Sequence, residues 1–264
     1  MEVLSVGEYT GDIIHQLQLR DAIITNTLYS AQKNNPDWHS HENLHICFVF
    51  QGGKAETRHR TQYTERNGSI FFYHAAERHR WISPHPISKS ANIEIGRSFL
   101  EQYGLKEEKI KKAIEQKANA KALILKMQKE LLNPDADSFS TIQFLLLELL
   151  VESAQTRGKH PPKWVVELKI LLHDHCDQEM SLADLAQILQ VHPVTISKYF
   201  SKYFSCTLGA YRRKLKIEKS IDLIKNTSKS LSEIAHECGF ADQSHFIRNF
   251  KVHTGFLPKT FQKF

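Results

Sequence analysis

The spacing of hydrophobic positions changes once along the chain, near residue 98. Before it, from Asp21 to Ile95, apolar and polar side chains form short alternating runs such as His45–Phe50 and Ala91–Ile95. Gly-Gly and Asn-Gly pairs at positions 52–53 and 67–68 separate some of these runs, as expected for tight turns that need positive φ. Many short strands are typical of an antiparallel barrel or sandwich. Residues 1–98 are therefore predicted to form a β-barrel.

After residue 98 the apolar spacing becomes helical. Three helices are predicted, at Glu107–Gln116, Ala118–Leu132 and Ser138–Gln155. The third has a wide apolar stripe formed by Ile142, Leu145, Leu146, Leu149 and Leu150. Residues 99–158 are interpreted as a helical connector. Its stripe either packs against the barrel or pairs with a second copy of the chain, which would make the connector a dimer interface.

A pattern that occurs twice dominates the last part of the chain. It follows a linker predicted at residues 159–162, where two prolines oppose helix formation. One copy, SLADLAQILQVHPVTISKYFSKYF, runs from Ser181 to Phe204, and the other, SLSEIAHECGFADQSHFIRNFKVHTG, ends at Gly255. Each copy predicts a short amphipathic helix, a turn and a longer helix. Residues 163–264 are therefore predicted to be an all-α domain with two helix-turn-helix units.

The longer helix of the first copy is predicted to begin at Pro193, with His192 as its N-cap. Helical spacing directs Ile196, Tyr199, Phe200 and Tyr203 inward. The outward positions are candidates for contacts with DNA bases and phosphates. They are Val194, Thr195, Ser197, Lys198 and Lys202.

The longer helix of the second copy is predicted to have Asp242 as its N-cap and to direct Phe246 and Phe250 inward. The candidate DNA-contacting residues on its outward face are Gln243, Ser244, Ile247, Arg248 and Lys251. A glutamine amide matches the hydrogen-bonding edge of adenine, and an arginine matches guanine.

Charge supports a nucleic-acid partner for this domain. The net charge is +6, and residues 1–158 carry 19 basic and 19 acidic side chains, whereas residues 159–264 carry 16 and 10. A localised basic excess is the electrostatic feature expected of a DNA-binding domain. The four cysteines lack metal-site or disulfide spacing, and no apolar run approaches a membrane span. We therefore expect a cytoplasmic protein with no membrane partner.

Histidines cluster in the predicted barrel. His39-x-His41-x3-His45-x6-Gly52 resembles the first cupin motif, and the segment from Gly68 to His79 resembles the second. Four histidines, His39, His41, His45 and His79, offer a site for a divalent metal. The alternative is a structural cluster without metal, so no cofactor is expected. A small-molecule effector would be held inside the barrel, and its candidate contact residues are Trp38, His39, His41, His45, Phe48, Phe72, His79 and Trp81. Phe50 is expected in the same interior.

The second copy also resembles a known family. The pattern Ile234-Ala235-x3-Gly239-Phe240-x-Asp242-x-Ser244-x-Phe246-x-Arg248-x-Phe250-Lys251-x3-Gly255-x2-Pro258 is similar to the signature of the AraC/XylS transcription regulators. This resemblance implies a seven-helix DNA-binding domain whose two recognition helices enter successive major grooves of promoter DNA. It also implies RNA polymerase as a partner, a homodimer and a role as an activator.

The sequence thus predicts an α+β multidomain protein with an N-terminal cupin-like antiparallel β-barrel and a C-terminal all-α domain. The expected function is sequence-specific transcription regulation, controlled by a small molecule in the barrel, without enzymatic activity. One alternative is a metal-dependent cupin enzyme fused to a DNA-binding module. Another is a DNA-binding adaptor whose barrel binds a protein.

Overall fold

The short alternating runs of the N-terminal region form ten strands within the described part of the chain. The computed structural model describes residues 2–30, 37–53, 55–58, 61–64, 66–82, 85–151 and 161–264. The strands are β1 (Glu2–Leu4), β2 (Asp12–Gln18), β3 (Ala22–Ser30), β4 (His39–His41), β5 (Leu44–Gln51), β6 (Ala55–Arg58), β7 (Thr61–Thr64), β8 (Ile70–Tyr73), β9 (His79–Ile82) and β10 (Ile87–Ile95).

These strands make two five-stranded sheets. The first sheet has the order β1-β4-β9-β6-β7 and the second has the order β2-β3-β10-β5-β8. Neighbours pair antiparallel, except that β1 runs parallel to β4. The sheets face each other, since the ring centroids of Tyr29 and Trp81, one from each sheet, lie 5.2 Å apart. The strand-rich N-terminal region is thus confirmed, and in the described residues it consists of two separately hydrogen-bonded sheets.

The second sheet has one polar and one apolar face. Because side chains alternate along a strand, His45 and Cys47 of β5 face the first sheet. The corresponding polar side chains of β10 are buried and follow the same alternation, and they are Ser88, Ser90, Asn92 and Glu94. The space between the sheets is therefore lined largely by polar and aromatic groups.

Three phenylalanines of this sheet lie on its other face. Phe48, Phe50 and Phe72 belong to a hydrophobic cluster shared with helices, and none of them lines the space between the sheets. Phe48 and Phe50 alternate with His45 and Cys47 along β5, and Phe72 pairs with Ile46 on the same face as these two phenylalanines. The structure therefore corrects the expectation that Phe48, Phe50 and Phe72 surround a ligand inside the barrel.

Four helices follow the sheets and cover that apolar face. They are α1 (Arg97–Tyr103), α2 (Glu107–Gln116), α3 (Ala120–Leu132) and α4 (Ser138–Leu150). The sequence did not predict α1, and α3 begins two residues later than expected. The predicted third helix extends to Gln155, but α4 ends at Leu150, and positions 152–155 lie outside the described residues, as do positions 159–160 of the predicted linker.

The C-terminal region contains seven helices in its described residues, 161–264. They are α5 (Lys163–Asp174), α6 (Leu182–Ile188), α7 (Pro193–Phe204), α8 (Leu208–Asn226), α9 (Leu231–Glu237), α10 (Gln243–Thr254) and α11 (Pro258–Gln262). The first helix-turn-helix unit is α6–α7, the second is α9–α10, and α8 joins them. Across the described ranges, we find no helix with the length and apolar character needed to span a bilayer.

The second helix-turn-helix unit shares its hydrophobic core with the N-terminal region. One continuous cluster contains Phe48 of the sheet, Leu125 of α3, Ile221 of α8 and Phe250 of α10. The apolar stripe of α4 is also buried in this cluster, as expected if the stripe packs against the rest of the fold. Its other side exposes two phenylalanines, Phe139 and Phe144.

The first unit has a cluster of its own. It is built around Leu168, Ile196 and Phe200, and from the connector it includes Ala118. The hydrophobic cores therefore do not divide at residue 163, where the sequence places a domain boundary. They divide between the two helix-turn-helix units.

Because α8 lies in the shared core, we expect a cavity in this helix to destabilise the N-terminal region as well as the DNA-binding region. Ile221 is fully buried in the shared core, so Ile221→Ala is expected to lower the free energy of unfolding by about 2–5 kcal/mol. Val252 of α10 is 71% exposed, so Val252→Ala should change it by less than about 0.5 kcal/mol. Urea titration followed by circular dichroism measures both. Equal effects of the two substitutions would contradict the shared core.

Candidate nucleic-acid interface and histidine cluster

Both helix-turn-helix units begin with the same local hydrogen-bonding arrangement. At the start of α6, Asp184 N donates to Ser181 Oγ at 3.1 Å and Ser181 N donates to Asp184 Oδ2 at 2.8 Å. At the start of α9, Glu233 N donates to Ser230 Oγ at 3.3 Å and Ser230 N donates to Glu233 Oε2 at 2.7 Å. Each pair is a capping box that satisfies two first-turn amides.

The two units also repeat a left-handed backbone at equivalent turns. Gln190 (φ 53°) and Gly239 (φ 71°) follow the first helix of each unit, and Ser205 (φ 56°) and Gly255 (φ 83°) follow the second. In the second unit another element fills the space that a side chain would need. A Cβ at Gly239 would collide with the carbonyl oxygen of Asp177, and one at Gly255 would lie 2.7 Å from Lys129 Cδ. Close packing thus requires glycine in the second unit.

The recognition helix of the first unit is α7, and its N-cap is the predicted histidine. Val194 N donates to His192 Nδ1 at 3.3 Å. Ile196 and Phe200 are buried, as predicted, together with Phe204. Tyr199 is 38% exposed, which corrects its predicted inward position, because the buried stripe follows the four-residue spacing 196, 200 and 204.

The predicted DNA-contacting positions of α7 share one accessible face. Val194 is 59% exposed, and Ser197, Lys198 and Lys202 are exposed, while Thr195 is half-buried. Lys198 Nζ lies 5.5 Å from the ring centroid of Tyr199. The exposed tyrosine therefore extends the aromatic and cationic surface beside this face.

The recognition helix of the second unit is α10, and its N-cap is the predicted aspartate. His245 N donates to Asp242 Oδ1 at 2.7 Å. Phe246 and Phe250 are fully buried, as predicted. The candidate contact residues Gln243, Ser244, Arg248 and Lys251 are exposed, whereas Ile247 is half-buried against the shared core.

The cations of the two recognition helices are available to a partner. Among the described residues, no ion pair involves Lys198, Lys202, Arg248 or Lys251. Other cations of this region do form ion pairs, for example Lys219 with Asp177 at 2.7 Å. The charge on the two outward faces is therefore not neutralised within the described protein.

A second group of predicted site residues meets between the sheets. One nitrogen from each of His39, His41 and His79 lies within 4.8 Å of the others, and all three side chains are buried. His39 Nδ1 lies 3.3 Å from Asp37 O, and His79 Nδ1 lies 3.0 Å from Glu77 O. In the tautomer in which Nδ1 donates to these carbonyls, Nε2 of each ring carries the lone pair. Burial, followed by the neighbouring His39, lowers the pKa of His79 to about 4.

His45, the fourth predicted histidine, does not join this triad. Its Nε2 lies 3.0 Å from Asn92 Oδ1, and Asn92 Nδ2 donates to Thr27 Oγ1 at 2.8 Å. A polar chain through β5, β10 and β3 therefore orients the imidazole of His45. The structure reduces the predicted four-histidine set to three.

The cavity at the histidines has a volume of about 20 Å³. The predicted residues His39, His41, His45, His79 and Trp81 line it. So do six residues that the sequence did not suggest, namely Tyr9, Thr10, Tyr29, Cys47, Tyr73 and Asn92. The alternation of polar residues along β10 is a sequence signal that identifies Asn92. Trp38 lies apart from the cavity, with the guanidinium of Arg80 5.2 Å from the centroid of its ring.

Comparison with known proteins agrees with the repeated helix-turn-helix geometry. Residues 185–263 match a family model described as a helix-turn-helix domain. The match supports an AraC-type helix-turn-helix domain in this part of the chain, as the resemblance of the second copy predicts. Similar proteins are named as transcriptional regulators, which agrees with the expectation of a regulator rather than an enzyme.

Two curated relatives show how far the similarity extends. The HTH-type transcriptional regulator GbdR of Pseudomonas aeruginosa is 29% identical over 39% of this chain and 28% of its own length. The uncharacterized HTH-type transcriptional regulator YfiF of Bacillus subtilis is 24% identical over 94% of this chain and 86% of its own length. The chain thus spans little more than a quarter of GbdR and most of YfiF.

A solved structure is also similar to the C-terminal part. The C-terminal domain of AraT, a response regulator from Geobacillus stearothermophilus, is 24% identical, and the match covers 40% of this chain and 88% of that domain with a TM-score of 0.37.

Proposed function

We propose that this protein is a sequence-specific regulator of transcription that binds promoter DNA through both helix-turn-helix units. The observation that carries this proposal is the pair of outward helix faces, each with exposed polar side chains and cations without ion-pair partners. Cations that contact phosphates supply affinity, and side chains that contact base edges supply specificity. RNA polymerase is the partner that an activator would recruit.

Each recognition helix has its own set of base-contacting groups. On α10, Gln243 suits adenine and Arg248 suits guanine, because each side chain offers a bidentate match to that base in the major groove. On α7, Lys198 suits guanine or a phosphate, and Val194 suits the methyl group of thymine. The smaller and less polar face of α7 favours α10 as the more selective of the two.

Loss of a single base-contacting cation should weaken binding without unfolding the protein. Lys198→Ala or Arg248→Ala is expected to raise the Kd for a promoter fragment about 5- to 150-fold, the range for a good base contact of about 1–3 kcal/mol. Fluorescence anisotropy at one fixed salt concentration measures this change. The matched control is Lys259→Ala, an exposed cation of α11 outside both recognition faces, which should change the Kd less than twofold.

The fragment for this experiment is obtained by selecting genomic DNA of the host with the wild-type protein. Circular dichroism confirms that each variant is folded. Wild-type affinity in both Lys198→Ala and Arg248→Ala would exclude the proposed role of the two faces.

The N-terminal region, in this proposal, is a cupin-like domain that controls DNA binding. The cavity between the sheets has a volume of about 20 Å³, far below the roughly 300 Å³ at which small-molecule pockets begin. An organic effector needs more room than this. The larger cavity, of about 610 Å³, lies where the sheets meet α8, and its lining includes Gln51, Arg66, His85 and Asn226. This junction is the better place for a small-molecule effector.

The histidine triad supports a second role for the N-terminal region, as a metal site. His39, His41 and His79 match the three-imidazole donor set that suits zinc and other divalent first-row ions. The carbonyl contacts of His39 and His79 provide the second layer of hydrogen bonds that usually orients such ligands. The cavity beside them accommodates an ion more readily than an organic molecule.

This role predicts that the protein binds one equivalent of Zn²⁺ and that His41→Ala abolishes this binding. Removal of one of three ligands should lower the affinity at least 100-fold, as measured by isothermal titration calorimetry on chelator-treated protein. His85→Ala, which changes an exposed histidine outside the triad, is the matched control and should bind like the wild type. A structural cluster without metal would instead give no binding in any of the three proteins.

A further inference from the structure

The N-terminus of α3 is capped by a residue of another helix. Asn119 precedes α3, but its side chain makes no capping hydrogen bond. Instead, Ala122 N donates to Oε1 of Glu218, which lies on α8. First-turn amides have no partner within their own helix, and here a side-chain oxygen of α8 supplies the acceptor. An acidic side chain of the DNA-binding region therefore completes a helix of the connector.

One turn further along α8, a second carboxylate contacts the same end of α3. Lys121 Nζ lies 2.5 and 2.6 Å from the two carboxylate oxygens of Asp222. Glu218 and Asp222 are four residues apart and so share one face of α8. Burial raises the pKa of Glu218 to about 8, with Lys121 acting in the opposite direction. Both acidic side chains of this face thus contact the start of α3, although the Asp222 side chain is still 48% exposed.

The end of α8 makes a separate attachment to the second sheet. Asn67 Nδ2 donates to Lys225 O at 3.2 Å, and Asn226 Nδ2 donates to Asn67 O at 2.8 Å. The adjacent Gly68 has φ 80°, and a Cβ there would lie 3.0 Å from Asp222 Oδ1. The Asn-Gly turn before β8 is therefore shaped to receive α8 as well as to reverse the chain.

The second helix-turn-helix unit also touches α3 directly. Lys129 packs against Gly255, directly after α10, at the position where any other residue would place its side chain. The first unit is less strongly attached in the described part of the chain. There, Ala118 of the connector joins its hydrophobic cluster, and Lys169 Nζ lies 3.5 Å from Gln116 Oε1. The two helix-turn-helix units therefore differ in the contacts that attach them to the connector.

We propose that Glu218 and Asp222 form a latch on the N-terminus of α3, so that the second helix-turn-helix unit moves with the N-terminal region while the first unit reorients about α8. The latch sets the position of α10 relative to the sheets. A change that displaces α3 therefore reaches the second unit before the first.

Hydrogen exchange of the Ala122 amide tests the latch directly, because its hydrogen-bond acceptor is Glu218. In the full chain, Glu218→Ala should accelerate exchange at Ala122 at least tenfold. Glu218→Gln keeps an oxygen acceptor at the same position and should restore most of the protection. The matched control is Glu237→Ala, which removes a carboxylate that pairs with Lys229 inside the second unit. Exchange at Ala122 that is unchanged in Glu218→Ala, or accelerated equally in Glu237→Ala, would overturn the latch.

Distances between spin labels test the motion of the first unit relative to the sheets. The labelled proteins keep Glu218 and Asp222, so this test does not depend on whether Glu218→Ala folds. Labels at Gln16 and Val252 connect β2 with the second unit, and labels at Gln16 and Ile188 connect β2 with the first. Both pairs are placed in protein in which Cys176 and Cys206 are replaced by serine. The distance distribution for Gln16–Ile188 should be at least twice as wide as that for Gln16–Val252. Equal widths, or a wider Gln16–Val252 distribution, would contradict the proposal.

Discussion

Helix α3 is buried on nearly all of its sides, and the packing of both regions depends on covering it. This helix lies between the apolar face of the second sheet and α4 on one side and α8 and α10 on the other, so that Leu123, Ile124, Leu125 and Met127 are all almost completely buried. Helices that are apolar around most of their circumference must be covered on every side. The burial of α3 therefore brings the sheets and the second helix-turn-helix unit into one core.

The two recognition helices have the same backbone and different surroundings. Both units have a capping box, a left-handed turn and a left-handed C-cap, which is the physical content of the sequence repeat. At both left-handed positions the second unit has glycine, whereas the first has Gln190 and Ser205. The Asp177 carbonyl leaves no room for a side chain at Gly239, and Gly255 has φ 83°. The differences between the copies thus follow from packing against neighbouring elements, and they leave the outward faces intact.

Local rules predicted much of the fold and of the DNA-contacting faces. Caps at His192 and Asp242, the start of α7 at Pro193 and the burial of Phe246 and Phe250 all follow from short-range spacing. The interior of the sheets could not be predicted in the same way. Alternation along β5 separates His45 from Phe48, but only the pairing of strands and the position of the helices decide which side is interior. The hydrogen bond between His45 and Asn92 spans 47 positions of the sequence, and the one between Ala122 and Glu218 spans 96. No local pattern predicts contacts over such separations.

The proposed function requires that the outward faces of both α7 and α10 bind DNA. Hydroxyl-radical footprinting of the full chain on a selected genomic fragment tests it most directly. If both faces bind, the protein should protect two DNA segments centred about 10 base pairs apart on one face of the duplex, since successive major grooves are one helical turn apart. Lys198→Ala should weaken protection of one segment and Arg248→Ala protection of the other. A single protected segment that responds to only one of the two substitutions would contradict it.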